Sequence, residues 1–286
     1  MAKTVAIPFA KFHGLANDFV VALSKDATQP YREFARAICA RNTGVGADGL
    51  LILTPPRGPK TPARVRFFNA DGSEAEMSGN GIRCAGAYLI AHGMAESPVR
   101  VATVAGLKTL RLVESGEGKW AFRVAMGRPI LAPRKIPFQG AKGRGPVAGF
   151  PLSTHRGRIP VTVTSMGNPH CSLFVGDFGG IDWARLGREI ENNLLFPNRT
   201  NVEFVKVLSR EEIEVRFWER GVGETMSSGT GSCAAVAAAI LNHRTVRKVR
   251  VRTLAGTLDI AWPAGGEITL TGPAERVAEG TFYFLP

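Results

Sequence analysis

Two stretches of the chain, GSEAEMSGNGIRCAGAYL (Gly72–Leu89) and GETMSSGTGSCAAVAAAI (Gly223–Ile240), repeat one pattern at an offset of 150 residues. In each stretch a serine is followed by Gly-x-Gly and then by a long apolar run, so that Ser78 aligns with Ser228. This repetition predicts a duplicated domain, in which each copy places the same glycine-rich turn before its most apolar helix.

The residue types of this turn suit a helix start that attracts anions. Serine is a favoured N-cap residue, and glycine lets the backbone turn sharply. The free N–H groups of the first helical turn and the helix dipole together attract a carboxylate or a phosphate. A single turn of this kind is more often an ordinary cap. Two turns in register, both flanked by polar residues, favour a paired site to which each domain contributes one side chain.

The composition is that of a globular chain. Its 286 residues fit two domains of ordinary size, and 44% hydrophobic with 21% charged residues disfavours disorder. We predict no membrane span and no secretory peptide, because long apolar runs are missing from the sequence. The cysteines are dispersed, without a CxxC motif or a Cys/His cluster, so we predict no zinc site, no disulfide framework and a reducing, cytoplasmic location. They are Cys39, Cys84, Cys171 and Cys233.

The net charge of +12 raises nucleic-acid binding as an alternative function. Lysine and arginine are spread along the chain, however, and the modest cluster at His243–Arg252 alternates basic residues with valine. That alternation is typical of a half-exposed strand with a basic outer face. We therefore interpret the charge as solvated surface and predict no nucleic-acid or membrane partner.

Each half of the chain shows the same order of predicted elements: strands, a glycine-rich turn, an apolar helix and further strands. A segment rich in proline, glycine and basic residues predicts a boundary after residue 128. The predicted domains are 1–128, joined by a C-terminal strand at 277–286, and 129–276. We predict an α+β fold of two pseudo-symmetric domains, each a central helix wrapped by largely antiparallel strands. The predicted central helices are Ile82–His92 and Cys233–Asn242.

Other motifs point away from nucleotide chemistry. GVGADG (Gly44–Gly49) formally matches GxGxxG, but it precedes a strand rather than a helix, so a dinucleotide site is not expected. Four asparagines in turns or at strand ends have amide groups suited to the ammonium and carboxylate groups of an amino acid. These are Asn17, Asn69, Asn168 and Asn201.

Longer motifs carry a family resemblance. HGLANDF, FNADGSEAEMSGNG, SMGNPH, TNVEF and WERGVGET followed by SGTG resemble the diaminopimelate epimerase family, in order and across nearly the whole chain. The resemblance implies an epimerase that needs no metal, pyridoxal phosphate or nucleotide. It implies conversion of LL-diaminopimelate to the meso form, for lysine and cell-wall synthesis, in a cleft between two domains. It also implies a cytoplasmic protein that is often a homodimer.

The same resemblance implies the site residues. His170 and Glu219 would lie beside the two reactive side chains and tune their protonation. Arg220 would bind the distal carboxylate, because its planar guanidinium suits two-point binding. The implied substrate-binding residues are Asn17, Asn69, Gly79, Asn80, Asn168, Asn201, Glu219, Arg220, Gly229 and Thr230.

The chain departs from the family at the two catalytic positions. The family has a cysteine at the head of each glycine turn, one taking the α-proton as a thiolate and the other returning a proton to the opposite face. Here both positions are serine, Ser78 and Ser228. Cys84 and Cys233 follow within the apolar helices, where a buried structural thiol is the usual interpretation.

An alkyl hydroxyl ionises far less readily than a thiol, so we predict impaired epimerisation by the chain as written. His170 or Glu219 would have to accept the proton, with serine as a relay. Three explanations stay open at this point. The chain is an engineered double Cys→Ser form, a natural variant with altered chemistry or another amino-acid substrate, or an inactive homologue that binds an amino acid.

Overall fold

The computed structural model describes residues 4–27, 30–58, 60–141, 143 and 145–285. The chain forms two compact units, one of Met1–Val124 with Thr271–Pro286 and the other of Ala125–Leu270. Within the described residues, the longest helices have 13 residues, and none is long and apolar enough to cross a membrane.

The first unit contains eight strands and two helices before the chain enters the second unit. In chain order they are β1 (Val5–Gly14), β2 (Asn17–Leu23), α1 (Tyr31–Cys39), β3 (Gly49–Thr54), β4 (Ala63–Asn69), β5 (Glu74–Ala75), α2 (Gly79–Ala91), β6 (Val99–Thr103), β7 (Gly106–Gly116) and β8 (Lys119–Gly127).

The second unit follows a short 3-10 turn at Pro133–Lys135. Its elements are β9 (Val147–Thr154), β10 (Gly157–Ser165), β11 (Pro169–Phe174), α3 (Trp183–Glu191), β12 (Asn201–Ser209), β13 (Glu212–Glu219), β14 (Gly223–Thr225), α4 (Gly229–Leu241), β15 (Lys248–Thr253) and β16 (Gly256–Ala261). The last strand, β17 (Ile268–Phe284), begins here, and most of it belongs to the first unit.

The two units share one pairing scheme. In the first unit β1 pairs antiparallel with β2, β2 parallel with β3, β3 antiparallel with β4, and β4 parallel with β6. In the second unit β10, β11, β12, β13 and β15 repeat these four pairings with the same orientations. The predicted α+β fold of two similar units is therefore confirmed at the level of strand pairing.

Each unit has a buried central helix. Residues 80–89 of α2 are all buried, and so are residues 231–239 of α4. Helix α2 contacts strands β1 to β4 and β6, while α4 contacts β10 to β13, β15 and β16. A helix that is apolar all round must be covered on every side, and the surrounding strands provide that cover.

Both central helices begin earlier than the sequence predicts. Helix α2 begins at Gly79 rather than Ile82, and α4 begins at Gly229 rather than Cys233. Glycine is a poor helix former, so the apolar run alone gave no signal for this first turn. The turn forms because the serine before it caps the helix.

Candidate functional site

Ser78 and Ser228 occupy the same structural position in the two units, the N-cap of the central helix. The Oγ atom of Ser78 accepts a hydrogen bond from the Gly81 amide at 3.1 Å, and the Oγ atom of Ser228 accepts one from the Gly231 amide at 3.2 Å. Both serines have extended backbone, with φ of −127° and −139°. The prediction that each serine caps its helix is confirmed.

The second glycine of each turn is required by packing. A Cβ atom added at Gly81 would lie 3.0 Å from the ring of Phe67, and one at Gly231 would lie 2.9 Å from the ring of Phe217. Phe67 and Phe217 are themselves separated by the 150-residue offset of the repeat. The repeated motif therefore conserves space for an aromatic ring as well as a serine cap.

A chain of side-chain hydrogen bonds lies at the start of α2, and we call Asn17, Asp48, Asn80 and Arg83 the first polar cluster. Asn80 Nδ2 donates to Asn17 Oδ1 at 3.2 Å, and Asn17 Nδ2 donates to Asp48 Oδ2 at 2.8 Å. Two of the predicted binding residues, Asn17 and Asn80, are thus held together. Asn69 donates instead to Ser73 Oγ within its own turn.

Arg83 anchors the first polar cluster from inside the unit. Its side chain is fully buried, and Nη2 donates to Asn80 Oδ1 at 2.9 Å. Nε donates to the Pro273 carbonyl at 3.0 Å, and Nη1 to the Gly79 carbonyl at 2.8 Å. Arg83 is not among the predicted site residues. Its signal was a lone charged residue within an otherwise apolar helix.

The second unit holds a comparable group of polar side chains, and we call Asn168, His170, Asn201, Glu203, Glu219 and Arg220 the second polar cluster. His170 and Glu203 are almost completely buried, and His170 Nδ1 lies 2.6 Å from Glu203 Oε1. His170 Nε2 lies 3.0 Å from Asn168 Oδ1. Glu203 was not predicted as a site residue, although it is an acidic residue within a buried strand.

Asn201 joins two loops of this cluster. Its Nδ2 atom donates to the Pro169 carbonyl at 2.9 Å, and its Oδ1 atom accepts from the Arg220 amide at 2.9 Å. The predicted binding residue Asn201 therefore also holds the segment before His170 against the segment that carries Arg220.

The turn that carries Arg220 is fixed from a second direction by Glu191. This buried carboxylate accepts from the Gly221 amide at 2.8 Å and from Trp218 Nε1 at 2.7 Å. The guanidinium of Arg220 is exposed, with Nη1 donating to the Asn198 carbonyl at 3.0 Å. The backbone of Arg220 is therefore held by Asn201, while its guanidinium lies at the surface.

Glu219 is hydrogen-bonded to the cap of α4. Burial raises the pKa of its carboxyl, while a hydrogen bond from Ser228 and the charge of His170 act in the opposite direction. Ser228 Oγ thus accepts from a helix N–H and donates to Glu219.

The raised pKa of Glu219 leads to a prediction on stability. The folded state favours the neutral carboxyl, so this stabilisation is complete below the ordinary pKa of 4.5 and is lost as the pH rises through the folded value. Glu219→Gln is neutral throughout. We therefore compare the free energy of unfolding of Glu219→Gln with that of the parent chain by urea unfolding at stepped pH. The difference, variant minus parent, is expected to rise between pH 4.5 and the folded pKa of Glu219 and then to level off.

The exposed Glu76 provides the matched control substitution, Glu76→Gln. A difference for Glu219→Gln that is constant from pH 4 to pH 8 would show that the Glu219 carboxyl is not desolvated in the folded state.

The four cysteines are buried and are not joined in disulfide bonds, as expected for structural thiols. Burial raises the pKa of Cys84 to about 12 and that of Cys171 well above its ordinary value. Cys84 and Cys233 lie wholly inside α2 and α4, with no exposed surface. They are therefore poor replacements for a reactive thiol at the start of either helix. In the part of the chain that the structure describes, three or more His, Cys, Asp or Glu residues do not converge into a metal site.

Comparison with known proteins gives a consistent result. The family model for diaminopimelate epimerase matches residues 9–132 and 162–277. A diaminopimelate epimerase of Pelotomaculum thermopropionicum is 47% identical over 281 residues, covering 96% of this chain and 99% of that protein. One from Desulfitobacterium hafniense is 45% identical, covering 94% and 96%.

Solved structures extend the likeness of the fold. A hydroxyproline epimerase from Agrobacterium vitis superposes with a TM-score of 0.69 at 15% identity, covering 100% of this chain and 95% of that chain. A probable proline racemase from Agrobacterium radiobacter gives 0.68 at 17% identity, covering 96% and 92%. The sequence matches span nearly the full length of both this chain and its relatives, and the chain therefore belongs to the diaminopimelate epimerase family.

Proposed function

We propose that this chain binds diaminopimelate and epimerises it only weakly, because serine stands at both positions where the family has a catalytic cysteine. The observation that carries the proposal is the pair of equivalent N-cap residues, Ser78 and Ser228, in a chain of this family. Epimerisation at one carbon needs one group that removes a proton and a second that returns one to the opposite face. Ser78 and Ser228, which cap equivalent helices in the two units, are the positions that we assign to these two groups.

The polar clusters support the binding half of the proposal. Ammonium and carboxylate groups are bound by amide, carboxylate and guanidinium side chains, and these are the groups present in both clusters. The helix N–H groups at Gly79-Asn80 and Gly229-Thr230 add positive potential suited to a carboxylate. Arg220 is the group that we assign to the distal carboxylate.

The serine hydroxyl groups limit the rate of epimerisation, because they ionise poorly. A cysteine ionises near pKa ~8.5, whereas the pKa of an alkyl hydroxyl is far higher, and a gap of about five pKa units is worth about 7 kcal/mol. Glu219 is the neighbouring base for Ser228, so a serine relay is the route for any residual exchange. The proposal requires no cofactor. The cytoplasmic location and the homodimer that the family resemblance implies remain predictions.

Ligand titration tests the proposal on the chain as it stands. We expect calorimetry to show binding of diaminopimelate and no binding of proline. Arg220→Ala should weaken that binding about tenfold or more, because the distal carboxylate loses a two-point partner. Arg158, an exposed arginine on β10, provides the matched control, and Arg158→Ala should bind as the parent does.

A different result would change the assignment. Binding of proline but not diaminopimelate would indicate a racemase of another amino acid. A salt-dependent mobility shift with RNA or DNA, with no amino-acid binding, would replace the proposal with a basic nucleic-acid binder.

A further inference from the structure

Glu203 reaches His170 through the pairing of two buried strands. Strands β11 and β12 run parallel, with His170 opposite Asn201 and Ser172 opposite Glu203. Since side chains alternate along a strand, His170 and Ser172 share one face of β11, and Asn201 and Glu203 share one face of β12. The polar residues of the two strands therefore form a ladder inside the unit.

The hydrogen bonds of Glu203 determine where a proton sits on His170. A carboxylate only accepts hydrogen bonds, and Glu203 Oε2 receives the Ser172 hydroxyl at 2.9 Å. Its Oε1 atom, 2.6 Å from His170 Nδ1, accordingly receives the Nδ1 proton. The other ring nitrogen, Nε2, lies 3.0 Å from Asn168 Oδ1, an amide oxygen that only accepts, so Nε2 donates to Asn168 whenever it carries a proton.

We propose that Glu203 is a positioning residue, which keeps a proton on His170 Nδ1 and makes Nε2 the nitrogen through which His170 takes part in proton transfer. The role in proton transfer rests on the proposed function, because that function makes His170 the residue that tunes a reactive side chain. The partner of a histidine's second nitrogen fixes both the tautomer and the orientation of the ring. Glu219, Asn168 and Glu203 are the groups that face or influence the imidazole.

Burial keeps water away from the hydrogen bond between His170 and Glu203. Glu203, His170 and Ser172 are at most 1% exposed, so water does not compete for the Nδ1 proton. The neighbours of Glu203 along β12, Val202 and Phe204, belong to apolar packing. An acidic side chain at this position needs partners of its own, and the structure supplies Ser172 and His170.

The first test follows the ring nitrogens of His170 by 15N NMR in the chain as it stands, with the signals assigned through His170→Gln. We expect a protonated Nδ1 in the parent. Glu203→Gln keeps the shape but has an amide that can turn its NH2 group toward Nδ1, so the Nδ1-protonated tautomer should cease to dominate. Ser172→Ala is the control, because it removes the other hydrogen bond of Glu203 and leaves the carboxylate in place.

An unchanged tautomer in folded Glu203→Gln would overturn the proposal, and so would an equal loss of the Nδ1-protonated tautomer in Ser172→Ala. Backbone amide spectra of each variant establish that it is folded.

The second test uses the variant with Ser78→Cys and Ser228→Cys as its background. There, Glu203→Gln should lower kcat for α-proton exchange on the order of 100-fold, with KM for diaminopimelate within about threefold and an altered pH profile. Glu211→Gln, the same substitution at an exposed glutamate of the same unit, should stay within about threefold of the background in kcat. An unchanged kcat after a changed tautomer would refute the role in proton transfer.

The two tests fail independently. If the cysteine background exchanges no α-proton, the proposed function fails, while the NMR result still decides whether Glu203 controls His170.

Discussion

Joint replacement of Ser78 and Ser228 by cysteine is expected to accelerate α-proton exchange in diaminopimelate by on the order of 10³-fold or more. The reason is the population of the anion that removes the proton. A pKa gap of at least about five units between thiol and alkyl hydroxyl corresponds to roughly 10⁵-fold more anion at equal pH. Incorporation of solvent deuterium at the α-carbon, followed by proton NMR, measures the rate directly.

The helix caps favour the thiolate at both positions. Each Oγ atom accepts a hydrogen bond from the amide three residues on, and a sulfur anion in its place would accept the same N–H. A helix N-terminus lowers the pKa of a cysteine located there. The neutral thiol is a weaker acceptor than serine, so each substitution is expected to cost about 0.5–2 kcal/mol of stability through loss of the cap.

The single variants provide the control for the two-base requirement. Ser78→Cys or Ser228→Cys alone supplies one reactive thiol, so full epimerisation should remain slow in either variant. Two results would contradict the account. Rapid exchange by the chain as it stands would place the chemistry on serine with His170 or Glu219. Binding without exchange in the double variant would show that Ser78 and Ser228 are not the catalytic positions.

The local features of the fold were predictable because they depend on neighbouring residues. The apolar runs after Ser78 and Ser228 predict two buried helices, and the repeat predicts that both units have the same plan. The helix starts were placed three or four residues late, since Gly79 and Gly229 carry no helical signal of their own. At both helix starts, the hydrogen bond to the serine hydroxyl outweighed the low helix propensity of glycine.

The side-chain contacts within the second polar cluster could not be predicted, because they depend on which strands pair, and the sequence does not show this. His170 and Glu203 meet because β11 and β12 are parallel neighbours, although α3 lies between them in the chain. TNVEF predicts a strand, but only the register shows that its glutamate lies beside a histidine. Arg83 is a clearer case, because its carbonyl partner at Pro273 lies 190 residues away.

Replacing Arg83 by methionine is expected to lower the free energy of unfolding by about 3–5 kcal/mol. Methionine fills much of the space but donates no hydrogen bond. The carbonyls of Pro273 and Gly79 and the amide oxygen of Asn80 would each lose a donor. The Gly79 carbonyl keeps its helical hydrogen bond from the backbone of residue 83, whereas a buried acceptor left unsatisfied costs about 1–3 kcal/mol. Denaturant unfolding of the parent and the variant measures the loss.

Arg64, exposed on β4 of the same unit, gives the matched substitution, and Arg64→Met should change the free energy of unfolding by no more than about 0.5 kcal/mol. Arg83→Met should also weaken diaminopimelate binding, because Asn80 loses the donor that orients its amide toward Asn17. A loss of stability below about 1 kcal/mol would mean that the three acceptors find other donors. In that case the buried guanidinium is not what holds Asn80 in place at the start of α2.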